Sequence, residues 1–85
     1  MSLEILVVDD SKTIRGVIVK TLRLSGLDIG NVSEAANGAE ALEVLRDKWV
    51  DLVLTDLNMP VMTGLELVAA MAEDDLLESI PVIVV

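Results

Sequence analysis

The sequence contains no cysteine, no histidine, no phenylalanine and no tyrosine among its 85 residues. Without cysteine the chain can form neither a disulfide nor a thiolate metal site, and without histidine it has neither an imidazole ligand nor a histidine base. Because Trp49 is the sole aromatic residue, the core has to be built from aliphatic side chains and methionine. These absences leave oxygen ligands as the groups available for binding a metal.

Positive charge is also scarce, since six basic residues against fifteen acidic ones give a net charge of −9. This balance disfavours direct binding to nucleic acid or to anionic lipid. No apolar run approaches the roughly 20 residues that a transmembrane helix needs, and the pattern of a signal peptide is missing. We therefore expect a cytoplasmic protein of one domain, without direct contacts to nucleic acid or membrane.

Short apolar runs and helical periodicities alternate along the chain. Apolar residues at helical spacing follow Ser11, a favoured N-cap residue, and stop at Gly26, a common helix terminator. Further helices are predicted over residues 39–47 and 64–72, and strands over residues 3–8, 31–35, 51–55 and 81–85. The alternation predicts an α/β domain with a parallel sheet and right-handed crossovers. A buried parallel strand needs neighbours, so a sequence that stops at Val85 is expected to form a fold cut short.

Acidic residues stand where two of the predicted strands end. Asp9 and Asp10 follow the first strand and Asp56 follows the third, while Pro60 cannot donate a ladder hydrogen bond and limits the sheet. Open α/β sheets place ligand sites at the carboxyl ends of their strands, so these three carboxylates should meet at one edge. Such a cluster is costly without a cation, and oxygen ligands alone suit Mg²⁺, Mn²⁺ or Ca²⁺.

The positions of the three carboxylates indicate different roles. Asp56 stands alone at a strand tip and is the candidate nucleophile toward a phosphoryl group, which would give an aspartyl phosphate. Asp9 and Asp10 are candidate metal ligands, because adjacent residues can reach an ion from two directions. Either motif alone could be a solvated turn or a helix cap. Their occurrence at two strands expected to be neighbours favours a functional site.

Four motifs and the last strand resemble response-regulator receiver domains, with spacing nearest to stand-alone receivers of the chemotaxis type. They are Ile-Leu-Val-Val-Asp-Asp-Ser at 5–11, Glu-Ala-Ala-Asn-Gly-Ala-Glu-Ala-Leu at 34–42, Asp-Leu-Val-Leu-Thr-Asp-Leu-Asn-Met-Pro at 51–60, Gly-Leu-Glu-Leu at 64–67 and Pro-Val-Ile-Val-Val at 81–85. The resemblance implies an incomplete flavodoxin-like parallel sheet with strand order 2-1-3-4. Residues 1–85 would then form a partial receiver domain that lacks the last third.

The resemblance also implies a role in two-component signal transduction. A histidine kinase or a phosphotransfer protein would pass a phosphoryl group to Asp56, in a phosphorelay. Mg²⁺ (or Mn²⁺) would be held by Asp9, Asp10, Asp56 and the backbone carbonyl of Asn58. A receiver performs at most self-phosphorylation and autodephosphorylation, so we do not expect a classical enzyme.

Several parts of a receiver have no counterpart in this sequence: the switch Ser or Thr, the phosphate-binding lysine and the switch aromatic residue. We therefore expect phosphorylation and switching to be impaired. The strand from Pro81 to Val85 would be an open apolar edge, and the first helix and one sheet face would be uncovered. This predicts a homodimer that joins through the Pro81–Val85 edge and the first helix.

Three other functions compete with the phosphoacceptor interpretation. The first is a non-catalytic homodimerisation module that reuses the fold. The second is a metal-dependent phosphatase with an aspartate nucleophile, but that class places Asp-x-Asp after one strand, whereas Asp9 and Asp10 are adjacent. The third is a nucleotide-binding Rossmann domain, which is disfavoured because no glycine follows the first strand.

Overall fold

The computed structural model describes residues 2–85, in which four strands and three helices alternate. The elements are β1 Leu3–Val8, α1 Lys12–Leu24, β2 Ile29–Ala35, α2 Gly38–Asp47, β3 Leu52–Thr55, α3 Gly64–Ala72 and β4 Val82–Val84. The strands form one parallel sheet in the order β2-β1-β3-β4. The predicted fold class and strand order are therefore confirmed.

Helix boundaries follow from capping chemistry in the sequence. Ser11 and Asn37 have extended backbones, and their side chains accept the N–H groups of Ile14 and Glu40. Thr63 and Glu66 form a reciprocal capping box at the start of α3. Each helix thus begins where a short polar side chain satisfies a backbone donor that has no partner within the helix.

Three strands, β2, β3 and β4, have bounds that differ from the prediction. β2 begins at Ile29 rather than at residue 31, because Leu3 pairs with Ile29 before a bulge shifts the register. The Glu4 carboxylate accepts the backbone and side-chain N–H groups of Asn31 at 2.6 and 3.1 Å, which holds this irregular stretch against β1. β4 covers Val82–Val84 instead of residues 81–85, although its flanking residues also bond to β3.

β3 begins at Leu52 rather than at Asp51. The Asp51 carboxylate accepts the backbone N–H of Glu4 at 2.8 Å and the Trp49 indole N–H at 2.7 Å. The first of these bonds lowers the pKa of Asp51 most, and the indole lowers it further. Asp51 thus terminates the sheet at its amino edge, opposite the edge where the strands end.

The two faces of the sheet are covered to different extents. On one face, Leu6, Val8 and Val53 pack under α2 and α3 in the larger core cluster. On the other, Ile5, Val7 and Leu54 pack under α1. This division follows from the alternation of side chains along each strand. No residue of α1, all of which the structure describes, is fully buried.

Apolar side chains are exposed on α1 and on β4, the strand at one edge of the sheet. Ile14 and Val17 of α1 are 47% and 58% exposed, and Ile83 of β4 is 50% exposed. Within residues 2–85, β4 has a strand neighbour on one side, β3. Among the same residues, no helix has the length and hydropathy needed to cross a bilayer.

Candidate functional site

The carboxyl ends of β1 and β3 bring three carboxylates together. The two strands are adjacent and parallel, with Val8 paired to Thr55, so Asp9 and Asp56 emerge side by side. The N–H of Asp56 donates to the carbonyl of Val8 at 3.0 Å, which continues the ladder to the edge. One carboxylate oxygen from each of Asp9, Asp10 and Asp56 lies within 4.8 Å of the others. This is the juxtaposition that the sequence predicted.

Asp9 is buried, with 6% of its surface exposed, and its orientation is determined by its own neighbours. Its N–H donates to the carbonyl of Ala35 at 3.0 Å, which ties it to the end of β2. Its Oδ1 accepts the N–H of Ser11 at 2.8 Å. The Asp9 carbonyl accepts an N–H from the guanidinium of Arg15. Asp10, in contrast, is exposed.

Asp56 is partly buried and is held through its main chain. The hydroxyl of the fully buried Thr55 donates to the Asp56 carbonyl at 3.0 Å. Gly64, the first residue of α3, packs directly on that carbonyl, and a Cβ at this position would collide with it. The N–H of Gly64 also donates to the Leu57 carbonyl at 2.9 Å. The start of α3 therefore positions the backbone of Asp56.

The loop between β3 and α3 borders the cluster. Asn58 lies exposed, two residues after Asp56, and the use of its carbonyl as a metal ligand stays a prediction. Val61 has a φ of +67°, a left-handed conformation that β-branched residues rarely adopt. The side chain of Met62 lies against Gly38, and its carbonyl accepts the Gly38 N–H at 3.1 Å. The loop thus joins the start of α2 to the edge that carries Asp56.

The donor chemistry of the cluster fits a hard divalent cation. Three carboxylates this close repel one another unless positive charge lies between them. Mg²⁺ and Mn²⁺ prefer oxygen ligands, and Mg²⁺ commonly uses few protein carboxylates while keeping waters or phosphate oxygens. Asp9, Asp10 and Asp56 could hold such an ion.

A sequence profile of the response regulator receiver domain matches residues 5–85. The chain belongs to the response regulator receiver family. The match includes every strand ending and loop that forms the carboxylate cluster. Family membership therefore agrees with the geometry at the edge of the sheet.

Curated chemotaxis proteins are among the relatives of this receiver. The chemotaxis protein CheY of Pseudomonas aeruginosa is 41% identical over 83 residues, covering 98% of this chain and 65% of the relative. A CheY homolog of Campylobacter jejuni is 43% identical over 84 residues, covering 98% of this chain and 63% of the relative. The chain thus spans somewhat less than two thirds of the length of these relatives.

Solved structures share the receiver fold. The chemotaxis response regulator CheY4 of Vibrio cholerae superposes with a TM-score of 0.86 at 36% identity, covering 99% of this chain and 68% of that one. The receiver domain of a signal transduction histidine kinase from Syntrophus aciditrophicus gives a TM-score of 0.90 at 32% identity, covering 99% of this chain and 61% of that one.

Two features at the site have no counterpart in the sequence prediction. Arg15 and Glu34 are 19 residues apart, yet their side chains meet beside Asp9. The second is the left-handed backbone of Val61, directly after Pro60. A glycine or asparagine at this position would have predicted that conformation. A residue of that kind is missing, so composition could not indicate the conformation.

Proposed function

We propose that this chain is the phosphoacceptor domain of a two-component phosphorelay. The observation that carries the proposal is the meeting of the Asp9, Asp10 and Asp56 carboxylates at one edge of a receiver sheet. Asp56 is the acceptor, since it follows β3 alone and is partly exposed, whereas Asp9 is buried and Asp10 is paired with it in sequence as a candidate metal ligand. The donor is a phosphohistidine on a histidine kinase or a phosphotransfer protein, and the setting is the cytoplasm.

In the transfer, a carboxylate oxygen of Asp56 attacks phosphorus and the bond between phosphorus and the imidazole nitrogen breaks. The electron pair of that bond stays on the imidazole, and the phosphoryl group becomes an acyl phosphate. A bound Mg²⁺ or Mn²⁺ supplies neutralising charge as the anionic group arrives. Asp9, Asp10 and Asp56, with the carbonyl of Asn58, would hold that ion. The chain is modified once per transfer, so it does not act as a classical enzyme.

In the 85-residue chain we expect this transfer to be slow. Arg15 is engaged by the Asp9 carbonyl and by Glu34, so its charge is not available to an incoming phosphoryl group. Lys12 and Lys20 lie on α1, and Lys48 ends α2. The phosphate-binding lysine of a receiver thus has no counterpart among these cations. The loss of one preorganised donor typically slows an enzymatic step by about 10²–10³-fold. Switching of an output surface should be impaired as well, because the switch Ser or Thr and the switch aromatic residue have no counterpart in the 85-residue sequence.

Incubation with acetyl phosphate and Mg²⁺, followed by intact-mass spectrometry, tests the acceptor. We expect a phosphate adduct that accumulates over hours and is lost in Asp56→Asn. Asp51→Asn is the matched control, because Asp51 lies at the opposite end of the same strand and should leave the adduct unchanged. An adduct that persists in Asp56→Asn, or no adduct at all, contradicts the acceptor role. A prompt stoichiometric adduct contradicts the impairment alone.

A second candidate function is homodimerisation through β4 and α1, and exposed apolar groups favour it. Pro81 and Val85 bond to β3, so the intervening Val82 and Val84 direct their backbone groups away from the sheet. Two such edges can pair antiparallel about a two-fold axis, which would bring the exposed Ile83 of each copy near its partner, whereas α1 packs over β1 and β2 and would contribute from farther away. A second copy of this chain is thus the proposed occupant.

Analytical ultracentrifugation at micromolar concentration tests the dimer. We expect a dimer that Val84→Lys converts to a monomer, because a charge on an edge strand opposes pairing. Leu76→Lys is the control, since Leu76 is 81% exposed and lies in the segment before β4. A stable monomer of the unmodified chain would refute this candidate and leave the phosphoacceptor proposal intact.

A further inference from the structure

We infer that Arg15 and Glu34 form a positioning pair that holds Asp9 and Asp10 in their metal-binding arrangement. The inference rests on the proposed function of the carboxylate cluster. Neither residue supplies a ligand atom to that cluster. They act through the main chain of Asp9 and through the local charge.

The pair bridges two elements across the end of β1. Arg15 comes from the first turns of α1, and its side chain is 14% exposed. Its Nη1 donates to the carbonyl of Asp9, and its Nε donates to the Glu34 carboxylate of β2 at 3.0 Å. One planar group therefore contacts the site backbone on one side and an anion on the other.

The contact with the Asp9 carbonyl completes the restraints on this residue. The Asp9 N–H is tied to Ala35, and its Oδ1 is tied to the N–H of Ser11. Its carbonyl belongs to the peptide that links Asp9 to Asp10, so Arg15 sets the plane of that peptide. Because Asp10 is exposed, the orientation of this peptide plane sets the direction in which the Asp10 side chain leaves the backbone. Loss of the contact would let the two acidic side chains diverge.

Glu34 affects metal binding separately, through its negative charge. A guanidinium beside a cation site repels the cation, and this works against the benefit of holding the backbone. The Glu34 carboxylate, half exposed at 44%, offsets that charge while it orients the Nε of Arg15. The two substitutions should therefore weaken metal binding for different reasons. Arg15→Met removes the hydrogen bond that orients the peptide between Asp9 and Asp10. Glu34→Gln instead leaves the positive charge of Arg15 uncompensated.

A purely structural role makes a different prediction. If the pair did no more than fasten α1 to β2, its loss would lower stability without changing metal affinity. Arg23 offers the matched control, since it also lies on α1 and donates to the β2 carbonyls of Ile29 and Gly30 at 3.2 and 2.9 Å. Arg23→Met should lower the melting temperature and leave the metal site unchanged.

The experiment is a calorimetric titration with Mn²⁺, at a temperature where circular dichroism shows every variant folded. We expect Arg15→Met to weaken Mn²⁺ binding by about tenfold, the lower end of the effect of groups that orient metal ligands. Arg15→Lys should recover part of the affinity, since a lysine can still donate to the Asp9 carbonyl. Arg23→Met should match the unmodified chain.

The Mn²⁺ affinity of Glu34→Gln is measured at two ionic strengths, and again in the double variant that also carries Arg15→Met. At about 0.01 M salt we expect weaker binding, and at about 1 M, where the screening length is about 3 Å, we expect the difference to vanish. In the Arg15→Met background, Glu34→Gln should add only a loss that salt removes, since the carboxylate still attracts the cation directly while the guanidinium that it orients is gone. A salt-independent loss in Glu34→Gln contradicts the electrostatic part.

The outcomes separate this inference from the proposed function. If the unmodified chain shows no saturable Mn²⁺ binding, or if Asp9→Asn does not weaken it, the metal site itself is wrong. If those two results hold but Arg15→Met binds Mn²⁺ as tightly as Arg23→Met, the positioning pair is wrong. Hydrogen exchange of metal-free protein gives a second readout: the Ser11 amide should exchange faster in Arg15→Met than in Arg23→Met.

Discussion

Replacing Val61 by asparagine should stabilise the protein. Val61 has a φ of +67°, and its side chain is 82% exposed, so it occupies a strained conformation without compensating burial. The left-handed region costs a residue with a Cβ roughly 1–2 kcal/mol, and the penalty is greatest for β-branched residues. Asparagine adopts this region more readily than other non-glycine residues and does not carry the chain-entropy cost of glycine, about 0.4–1 kcal/mol. We therefore expect a gain of about 1 kcal/mol.

Thermal melts followed by circular dichroism provide the measurement for Val61. For a domain of this size, about 1 kcal/mol corresponds to a rise of roughly 4–8 °C in Tm. Val61→Ile is the control, because it keeps the β-branch and the exposure and should leave Tm unchanged. Val61→Gly should fall between the two. If Val61→Asn melts with or below Val61→Ile, the argument from backbone strain is refuted.

Two further predictions concern packing and pH. Gly64→Ala should destabilise the protein, because the added Cβ would collide with the Asp56 carbonyl. Gly16→Ala, with nothing within 4 Å of the added Cβ, should instead stabilise it by about 0.5–1 kcal/mol through helix propensity. Urea melts that rank the two variants in the opposite order would contradict this. The pKa of Asp51 is lowered by the N–H of Glu4 and then by the Trp49 indole, so its stabilising contribution is complete above the ordinary value of 3.8 and is lost as pH falls through the lower folded value. Trp49 fluorescence should change in that acidic range, and Asp51→Asn should abolish the change; a transition near pH 6 would contradict the assignment.

The carboxylate cluster was predictable because it depends on two local rules. Apolar runs marked β1 and β3, and parallel strands end at one edge of a sheet, so Asp9 and Asp56 had to approach each other. The helix start at Ser11 was likewise local, since short polar side chains cap helices wherever the chain is extended before a helical run.

The remaining features depended on tertiary contacts that no short window of sequence contains. Arg15 meets Glu34 only when the rotation of α1 about its axis and the register of β2 are both known. The early start of β2 depends on a carboxylate from the neighbouring strand, Glu4, which bonds to Asn31 across the bulge. The conformation of Val61 is imposed by the surrounding loop against the preference of the residue itself.

The central claim is that Asp9, Asp10 and Asp56 hold a single hard cation at the edge of the sheet. Paramagnetic broadening of amide NMR signals by substoichiometric Mn²⁺ tests it most directly. We predict that the signals of these three residues broaden together, that Mg²⁺ reverses the effect, and that Asp9→Asn removes it. Broadening centred on another acidic segment, such as residues 73–75, or the absence of saturable broadening at the three aspartates, would contradict the account.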